Sequence, residues 1–414
     1  MPIPDLPVIA DDDSMLSKKF GREIANYFSG SPLNRLSFLR DNNEFLQSAF
    51  AHPSAAFLLM NGLGPLVQSD SAHLAFVASA DVVPLTGPEP FGKKESDLIN
   101  EFNSAEKRPV ILFLGVDDKN HLPSHNAGVL DDFVYRDYTG SPYFAVDVTP
   151  RPGYADTANA VIDAVKAKGF SFHDNSPRHM GLHAGQAATY GHARALLDWN
   201  ARNPFCAQCG QPTLSVHAGT KRVCPPTDLA SGTLKDRLPC ATRGTVSNLS
   251  FPRTDPTVIM AVISSDGTKI LLGRQRRWPK DWYSTLAGFQ EPGESIEEAV
   301  RREVWEESGV KLGRVVLHSS QPWPFPASLM IGAVGQAQPG DGETIFLGND
   351  AELESAKWFP LEEVREALLK GVSNLGESAP KDYVEGALRL PPQTAIANRL
   401  ITAVVEGWWI QPRI

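Results

Sequence analysis

Cysteine is scarce, with four residues in 414, and all four fall between Cys206 and Cys240. A secreted chain stapled by disulfides would carry more of them and scatter them. Long apolar runs are missing too. No stretch approaches the roughly 18 residues that a membrane span requires, so no membrane partner is expected. There is no excess of positive charge: 39 Lys and Arg stand against 48 Asp and Glu, a net charge of −9. That balance excludes a chain held to nucleic acid mainly by its own electrostatics. It leaves an anionic substrate open, because a divalent metal can supply positive charge. The start, with Asp11, Asp12 and Asp13, lacks the basic and apolar regions of a secretory signal. Together these absences predict an intracellular protein.

What is present supports a packed core, since 42% of residues are hydrophobic and 21% charged. The length suits two or three domains. Residues 1–203 read as an N-terminal mixed α/β domain, with β-like runs at 110–114 and 143–148 and a helix over 184–202. Residues 204–250 are loop-rich and hold every cysteine. Residues 251–414 alternate in an α/β pattern: hairpin strands at 258–263 and 270–272, a helix over 295–308, strands near 314–319, 328–336 and 356–359, and helices near 361–370 and 392–406. No repeat with a period of 20–50 residues is found.

The helix at 295–308 breaks its own pattern. Ser295 and Glu298 form a capping box, and Gly309 stands at the C-terminal cap. Ile296, Ala299 and Val300 share one face, and seven residues further on that face carries Glu303, Glu306 and Glu307. Like charges at this spacing repel, and burying them unpaired is costly. On the helix alone two readings stand open: a solvated acidic end, or a site for a hard cation such as Mg²⁺ or Mn²⁺.

The flanks add Gly288, five residues, Glu294, seven residues, and then Arg302-Glu303-Val304-Trp305-Glu306-Glu307-Ser308-Gly309-Val310. This resembles an intact Nudix box. The resemblance implies an α+β chain whose C-terminal part is a Nudix α/β/α sandwich, hydrolysing a nucleoside diphosphate linked to another group with two or more Mg²⁺ or Mn²⁺ ions. It implies Glu303, Glu306 and Glu307 as catalytic residues. Glu303 and Glu307 would be metal ligands with the carbonyl of Ala287, and Glu306 either a ligand or the base. Gly288, Glu294, Arg302 and Gly309 would be structural, Arg302 bracing the helix through Glu294. One more metal-binding glutamate precedes Ala356-Lys357-Trp358 in relatives; Glu352 matches that position best, with Glu354 as runner-up.

Three prolines alternate with two aromatics in Gln321-Pro322-Trp323-Pro324-Phe325-Pro326-Ala327-Ser328. Proline at this density excludes a helix or a central strand. A stiff loop remains, suited either to stacking a base or to rigid packing. The segment resembles the SQPWPFPxS motif of the NADH pyrophosphatases, a Nudix subfamily, and this chain reads as a eukaryotic, fungal-type member. The resemblance implies that Gln321, Pro322, Trp323, Pro324, Phe325, Pro326, Ala327 and Ser328 line the nucleotide pocket, with Phe251, Phe289 and Ala397 as further substrate contacts.

Cys206 and Cys209 can hold a metal from one tight turn, and Cys224 and Cys240 can complete a tetrahedral zinc site. A redox pair would need neither of the latter two. Relatives commonly carry a second close pair, whereas Cys224 and Cys240 are separated by an insertion. The subfamily resemblance implies one structural Zn²⁺ per chain in a zinc ribbon. The basic run 274–280 reads either as a phosphate-attracting turn or as a solvated one. Pro412-Arg413-Ile414 loosely resembles a peroxisomal tripeptide, giving peroxisome or cytoplasm as locations. Asn34-Arg35-Leu36-Ser37 resembles the N-terminal domain of the eukaryotic forms. The expectation is a homodimeric NAD(H) pyrophosphatase yielding AMP and nicotinamide mononucleotide from NADH or NAD, with NAD-capped RNA as a further substrate. The alternatives are ADP-ribose or diadenosine polyphosphate hydrolysis, and a non-catalytic RNA-binding protein using the ribbon.

Overall fold

The computed structural model describes residues 7, 24–119, 121–123, 132–174, 181–230, 235–244, 247–292, 294–350 and 352–407. The chain divides into two compact units. One comprises Ser31–Arg253 with Pro324–Ala327, and the other comprises Met1–Gly30, Thr254–Trp323 and Ser328–Ile414.

The second unit is built on a six-stranded sheet ordered Leu312–Trp323, Ser328–Ala337, Asp255–Ile263, Lys269–Arg274, Ser355–Pro360, with Leu286–Phe289 paired to Asp255–Ile263. The central strand explains its own sequence. Val258, Met260 and Val262 pack on one face with Ala299, Val300 and Val304 of the helix Ile296–Ser308. Ile259, Ala261 and Ile263 pack on the other with Val364 and Ala367 of Leu361–Lys370 and with Leu400 and Val404 of Ile396–Val405. A strand covered on both faces needs a continuous apolar run. The result is a helix–sheet–helix sandwich.

The proline-rich segment is not a free loop. Leu312–Trp323 continues to Trp323 and pairs with Ser328–Ala337 down to Trp323 opposite Ser328. Its only neighbour among the described strands is Ser328–Ala337. Pro322 is tolerated because this is an edge strand, where a missing N–H breaks no ladder.

The first unit holds a seven-stranded sheet ordered Ile111–Asp117, Tyr138–Asp147, Ala56–Asn61, Gly64–Val67, Ser171–Phe172, with Phe76–Val77 on Ala56–Asn61 and Phe133–Tyr135 on Tyr138–Asp147. Aromatics fill its core, and Phe57 stacks on Phe144 with ring centroids 5.4 Å apart. Apart from Phe133–Tyr135, which has no counterpart, this order matches the other sheet. Ala56–Asn61 runs parallel to Tyr138–Asp147 as Asp255–Ile263 runs parallel to Ser328–Ala337, and the corresponding remaining pairs are antiparallel in both. The two units are therefore topological copies, although the sequence shows no repeat. The copies part where the chemistry is. Between Leu286–Phe289 and Leu312–Trp323 stands the glutamate helix. The matching interval of the first unit holds Ser79–Thr86 and Glu95–Asn100 instead. There Asp81 pairs with Lys168, and Glu95 with His217 at 2.6 Å and Lys221 at 3.0 Å.

Candidate active site and metal centre

The helix Ile296–Ser308 begins at the capping box, with Ser295 accepting from Glu298 N–H, and ends at Gly309 with φ of 74°. That left-handed backbone is open to glycine at little cost. Glu303 lies directly on the strand Leu286–Phe289: a Cβ built on Gly288 would stand 2.0 Å from the Glu303 carboxyl carbon. Only glycine leaves room for that carboxylate. Arg302 grips the other side. Its Nε donates to Glu294 at 2.6 Å and its Nη2 to the same carboxylate at 3.0 Å and to the Phe289 carbonyl at 2.8 Å. Its Nη1 donates to Glu303 at 2.9 Å and Glu306 at 2.8 Å. The guanidinium thus ties the loop to the helix and orients two carboxylates, in the fork geometry arginine favours.

Glu307 is 5% exposed. Burial, then the charges of Glu303 and Glu352, push its carboxyl up to about 8, against a backbone hydrogen bond at Ala287. Glu303 is raised as well, by burial ahead of the opposing pull of Arg302. Burial disfavours the charged form of both carboxyls, and a divalent cation among them would favour it. The residues present fit Mg²⁺ or Mn²⁺ on that ground. Glu352 arrives because its loop is bonded to the helix end: Phe346 N–H donates to Ser308 O at 2.8 Å, and Asp350 N–H to Glu306 O at 3.1 Å. Glu354 is engaged elsewhere, in an ion pair with Arg274 at 2.6 Å. That pair also removes Arg274 from the basic run as a free phosphate contact.

The nucleotide-pocket residues separate into groups. Gln321 is 1% exposed. Its amide donates to Tyr27 O at 3.0 Å and Thr394 O at 2.8 Å and accepts from Ile396 N–H at 2.9 Å. It brackets three chain segments, whereas the expectation placed its side chain in the nucleotide pocket. Ala397, 4% exposed, sits in the core on the helix face that the sheet buries. Phe289 is 62% exposed beside the carboxylates, and Trp323 is half-buried. Phe251, 40% exposed, belongs to the first unit. So does the hairpin end, where Pro324 and Ala327 are buried. There Arg194 bonds the Pro324 carbonyl and lies 4.3 Å from the centroid of the Phe325 ring. Sequence reasoning missed Arg194. Its signal was an arginine amid the alanines and leucines of the 184–202 helix.

The four cysteine sulfurs lie within 4.8 Å of one another, with Cys206 to Cys240 at 3.7 Å and Cys209 to Cys224 at 3.5 Å. Zn–S bonds of about 2.3 Å in a tetrahedron place sulfurs roughly 3.8 Å apart, so the set fits zinc. The insertion is a hairpin: Thr227–Asp228 pairs with Lys235–Asp236, and Arg237 N–H returns to Pro226 O at 2.8 Å. It delivers Cys240 back to Cys206. Burial opposes ionisation of Cys206, but bonds from Thr242 and the backbone of Cys209 and Gln208 outweigh it and bring the thiol down to about 6. Burial, together with neighbouring sulfurs, pushes Cys209 up to about 12. A cation at the centre would let all four bind as thiolates. Thr242 bonds Cys240 at 3.2 Å, and Arg243 reaches the Cys224 sulfur at 3.4 Å, an outer layer that orients the ligands.

Residues 253–380 match the NUDIX domain, 201–231 the NADH pyrophosphatase zinc ribbon domain, and 54–199 the NADH pyrophosphatase-like rudimentary NUDIX domain. The NAD-capped RNA hydrolase of Schizosaccharomyces pombe is 34% identical over 393 residues, covering 94% of this chain and 95% of that protein. The chain belongs to the NADH pyrophosphatase family of Nudix hydrolases. The human NAD-capped RNA hydrolase NUDT12 is 34% identical over 394 residues, 92% of this chain and 73% of its own. The mouse mitochondrial NAD(P)H pyrophosphatase NUDT13 is 41% identical over 215 residues, 52% of this chain and 53% of its own. For this Nudix hydrolase the rudimentary-domain match explains the doubled topology of the first unit. Cys240 lies beyond the residues matched by the ribbon. No helix among the described residues is long and apolar enough to cross a membrane.

Proposed function

We propose that this Nudix hydrolase splits the pyrophosphate bond of NADH and NAD into AMP and nicotinamide mononucleotide, and removes NAD caps from RNA by the same reaction. The observation that carries this is the buried Glu307 beside the strand at Ala287, its carboxyl raised by burial and by the charges of Glu303 and Glu352. The family membership over nearly the whole chain supports it, as do the printed activities of the relatives.

Glu303, Glu307, Glu352 and the Ala287 carbonyl would hold Mg²⁺ or Mn²⁺, with Glu306 as a further ligand or as the base. Such ions supply charge neutralisation for the phosphate oxygens and a more acidic water. The chain's own part is positioning. Arg302 fixes Glu303 and Glu306, and Gly288 lets Glu303 sit against the strand. Phe289 offers an exposed ring beside the site. Water oxygen forms the new bond to phosphorus, the bridging P–O bond breaks toward the departing phosphate, and a carboxylate of the set takes the water's proton. One Zn²⁺ per chain on Cys206, Cys209, Cys224 and Cys240 would be structural.

Domains at 1–203, 204–250 and 251–414, a homodimer, and a peroxisomal or cytoplasmic location complete the proposal. The tail residues 411–414 that bear on location lie outside the described residues. Turnover of NADH, NAD, ADP-ribose and an NAD-capped oligoribonucleotide, compared at equal concentration with Mg²⁺ or Mn²⁺, tests the substrate. AMP released fastest from NADH or from the capped RNA is expected. Preference for ADP-ribose would overturn the substrate and keep the bond.

A further inference from the structure

The first unit holds a cluster of basic side chains that the proposed chemistry leaves unused. Pro32 lies against the start of the helix Ala184–Arg202, where a Cβ on Gly185 would stand 3.6 Å from its ring. His192 is seven residues on, two helical turns, and so shares that face. Past Pro32 the backbone of Asn34 bonds Val116 in both directions at 2.9 and 2.8 Å. Leu36 then turns the chain with φ of 40°, rare for a residue with a side chain. A short helical turn, Ser37–Leu39, follows and is capped by Arg40. Leu36 and Leu39 are buried in the aromatic core and anchor the turn that carries Arg35 and Arg40.

The Nε and Nη2 atoms of Arg40 are buried with no partner among the described residues. Neither arginine is in an ion pair with any described carboxylate. Burial lowers both guanidiniums, and Arg35 lowers Arg40 further. Burial and then the two arginines hold His192 down to about 3. The two guanidiniums therefore repel one another and keep the imidazole neutral, with no counter-charge among the described residues. A guanidinium cannot escape by losing its proton, so the missing partner is an anion. Arg35 is exposed, whereas Arg40 and His192 are half-buried, which leaves a way in from solvent.

We propose that Arg35, Arg40 and His192 form an anion site on the N-terminal unit that takes a phosphate group. A tetrahedral oxyanion accepts from two guanidiniums at once and leaves an oxygen for the imidazole. The same chemistry serves a free phosphate or a nucleotide phosphate.

The test uses the full-length protein carrying Glu303→Gln, without added Mg²⁺ or Mn²⁺, so that the acidic cluster offers nothing to an anion. Calorimetric titration with inorganic phosphate, AMP and a 5′-phosphorylated oligoribonucleotide is followed by the same titrations after Arg40→Gln or Arg35→Gln. Binding should weaken by about tenfold or more in either variant, as expected for loss of a charge-assisted contact. Arg40→Gln should also raise Tm in phosphate-free buffer by removing an uncompensated charge, and should abolish the rise that phosphate gives. Arg35→Gln, at the exposed rim, should leave the phosphate-free Tm unchanged. With Glu303 restored, NADH turnover should be unaffected by either change. Tighter, Arg40-dependent binding of AMP or the oligonucleotide than of inorganic phosphate would identify a nucleotide as the source, and equal binding would identify free phosphate. Absence of binding by all three probes, or equal affinity with and without Arg35 and Arg40, would overturn the proposal.

Discussion

Glu307→Gln should make the metal-free protein more stable at alkaline pH while destroying its metal site. Glu307 is 5% exposed, and its carboxyl is pushed up to about 8 from an ordinary 4.5. Between those values the native state keeps a proton that the unfolded chain has released. Native protein therefore binds more protons, and stability falls as pH rises through this window. At about 1.4 kcal/mol per pKa unit, the loss approaches about 5 kcal/mol once pH passes 8. For a domain of this size that corresponds to roughly 10 °C in Tm. Gln keeps the shape and removes the charge. Melting curves at pH 5 and pH 8.5, in buffer free of Mg²⁺ and Mn²⁺, should show a steep fall for wild type and a shallower one for Glu307→Gln. Adding Mg²⁺ at pH 8.5 should recover Tm in wild type alone. Parallel pH profiles for the two proteins would refute the claim that Glu307 is a buried carboxylate awaiting a cation.

Gly288→Ala should fold yet lose most hydrolysis, because the new Cβ would stand 2.0 Å from the Glu303 carboxyl carbon; wild-type turnover in a steady-state assay would contradict that packing. Cys240→Ser should lose about one bound zinc per chain and lower Tm, and unchanged metal by elemental analysis would remove Cys240 from the ligand set. Gln321→Ala should destabilise by about 3 kcal/mol, since it leaves the carbonyls of Tyr27 and Thr394 and the N–H of Ile396 unpaired. Chemical denaturation measures that, and a variant that lost only substrate affinity would return Gln321 to the pocket wall.

The glutamate helix was legible because its signals are local: Ser295 and Glu298 at one end, Gly309 at the other, and three carboxylates where the apolar stripe should continue. The four cysteines were legible as a set, but the route of Cys240 was not. That route depends on a hairpin whose two-residue strands carry no apolar pattern. The bracing by Gln321 was not legible, because a polar residue among prolines and aromatics suggests a ligand contact. Its partners are backbone atoms near residues 27 and 394–396, far away in sequence. The doubled topology was invisible for a related reason. Strand order and direction recur, but the first unit holds Ser79–Thr86 and Glu95–Asn100 where the second has the glutamate helix.

The central claim is that these carboxylates hydrolyse the pyrophosphate of a nicotinamide dinucleotide. Chromatographic analysis of NADH incubated with Mg²⁺ and either wild type or Glu303→Gln tests it most directly. The account predicts equal amounts of AMP and reduced nicotinamide mononucleotide from wild type, and neither from a Glu303→Gln protein that melts like a folded one. Comparable AMP release by both proteins, or none by wild type, would contradict it.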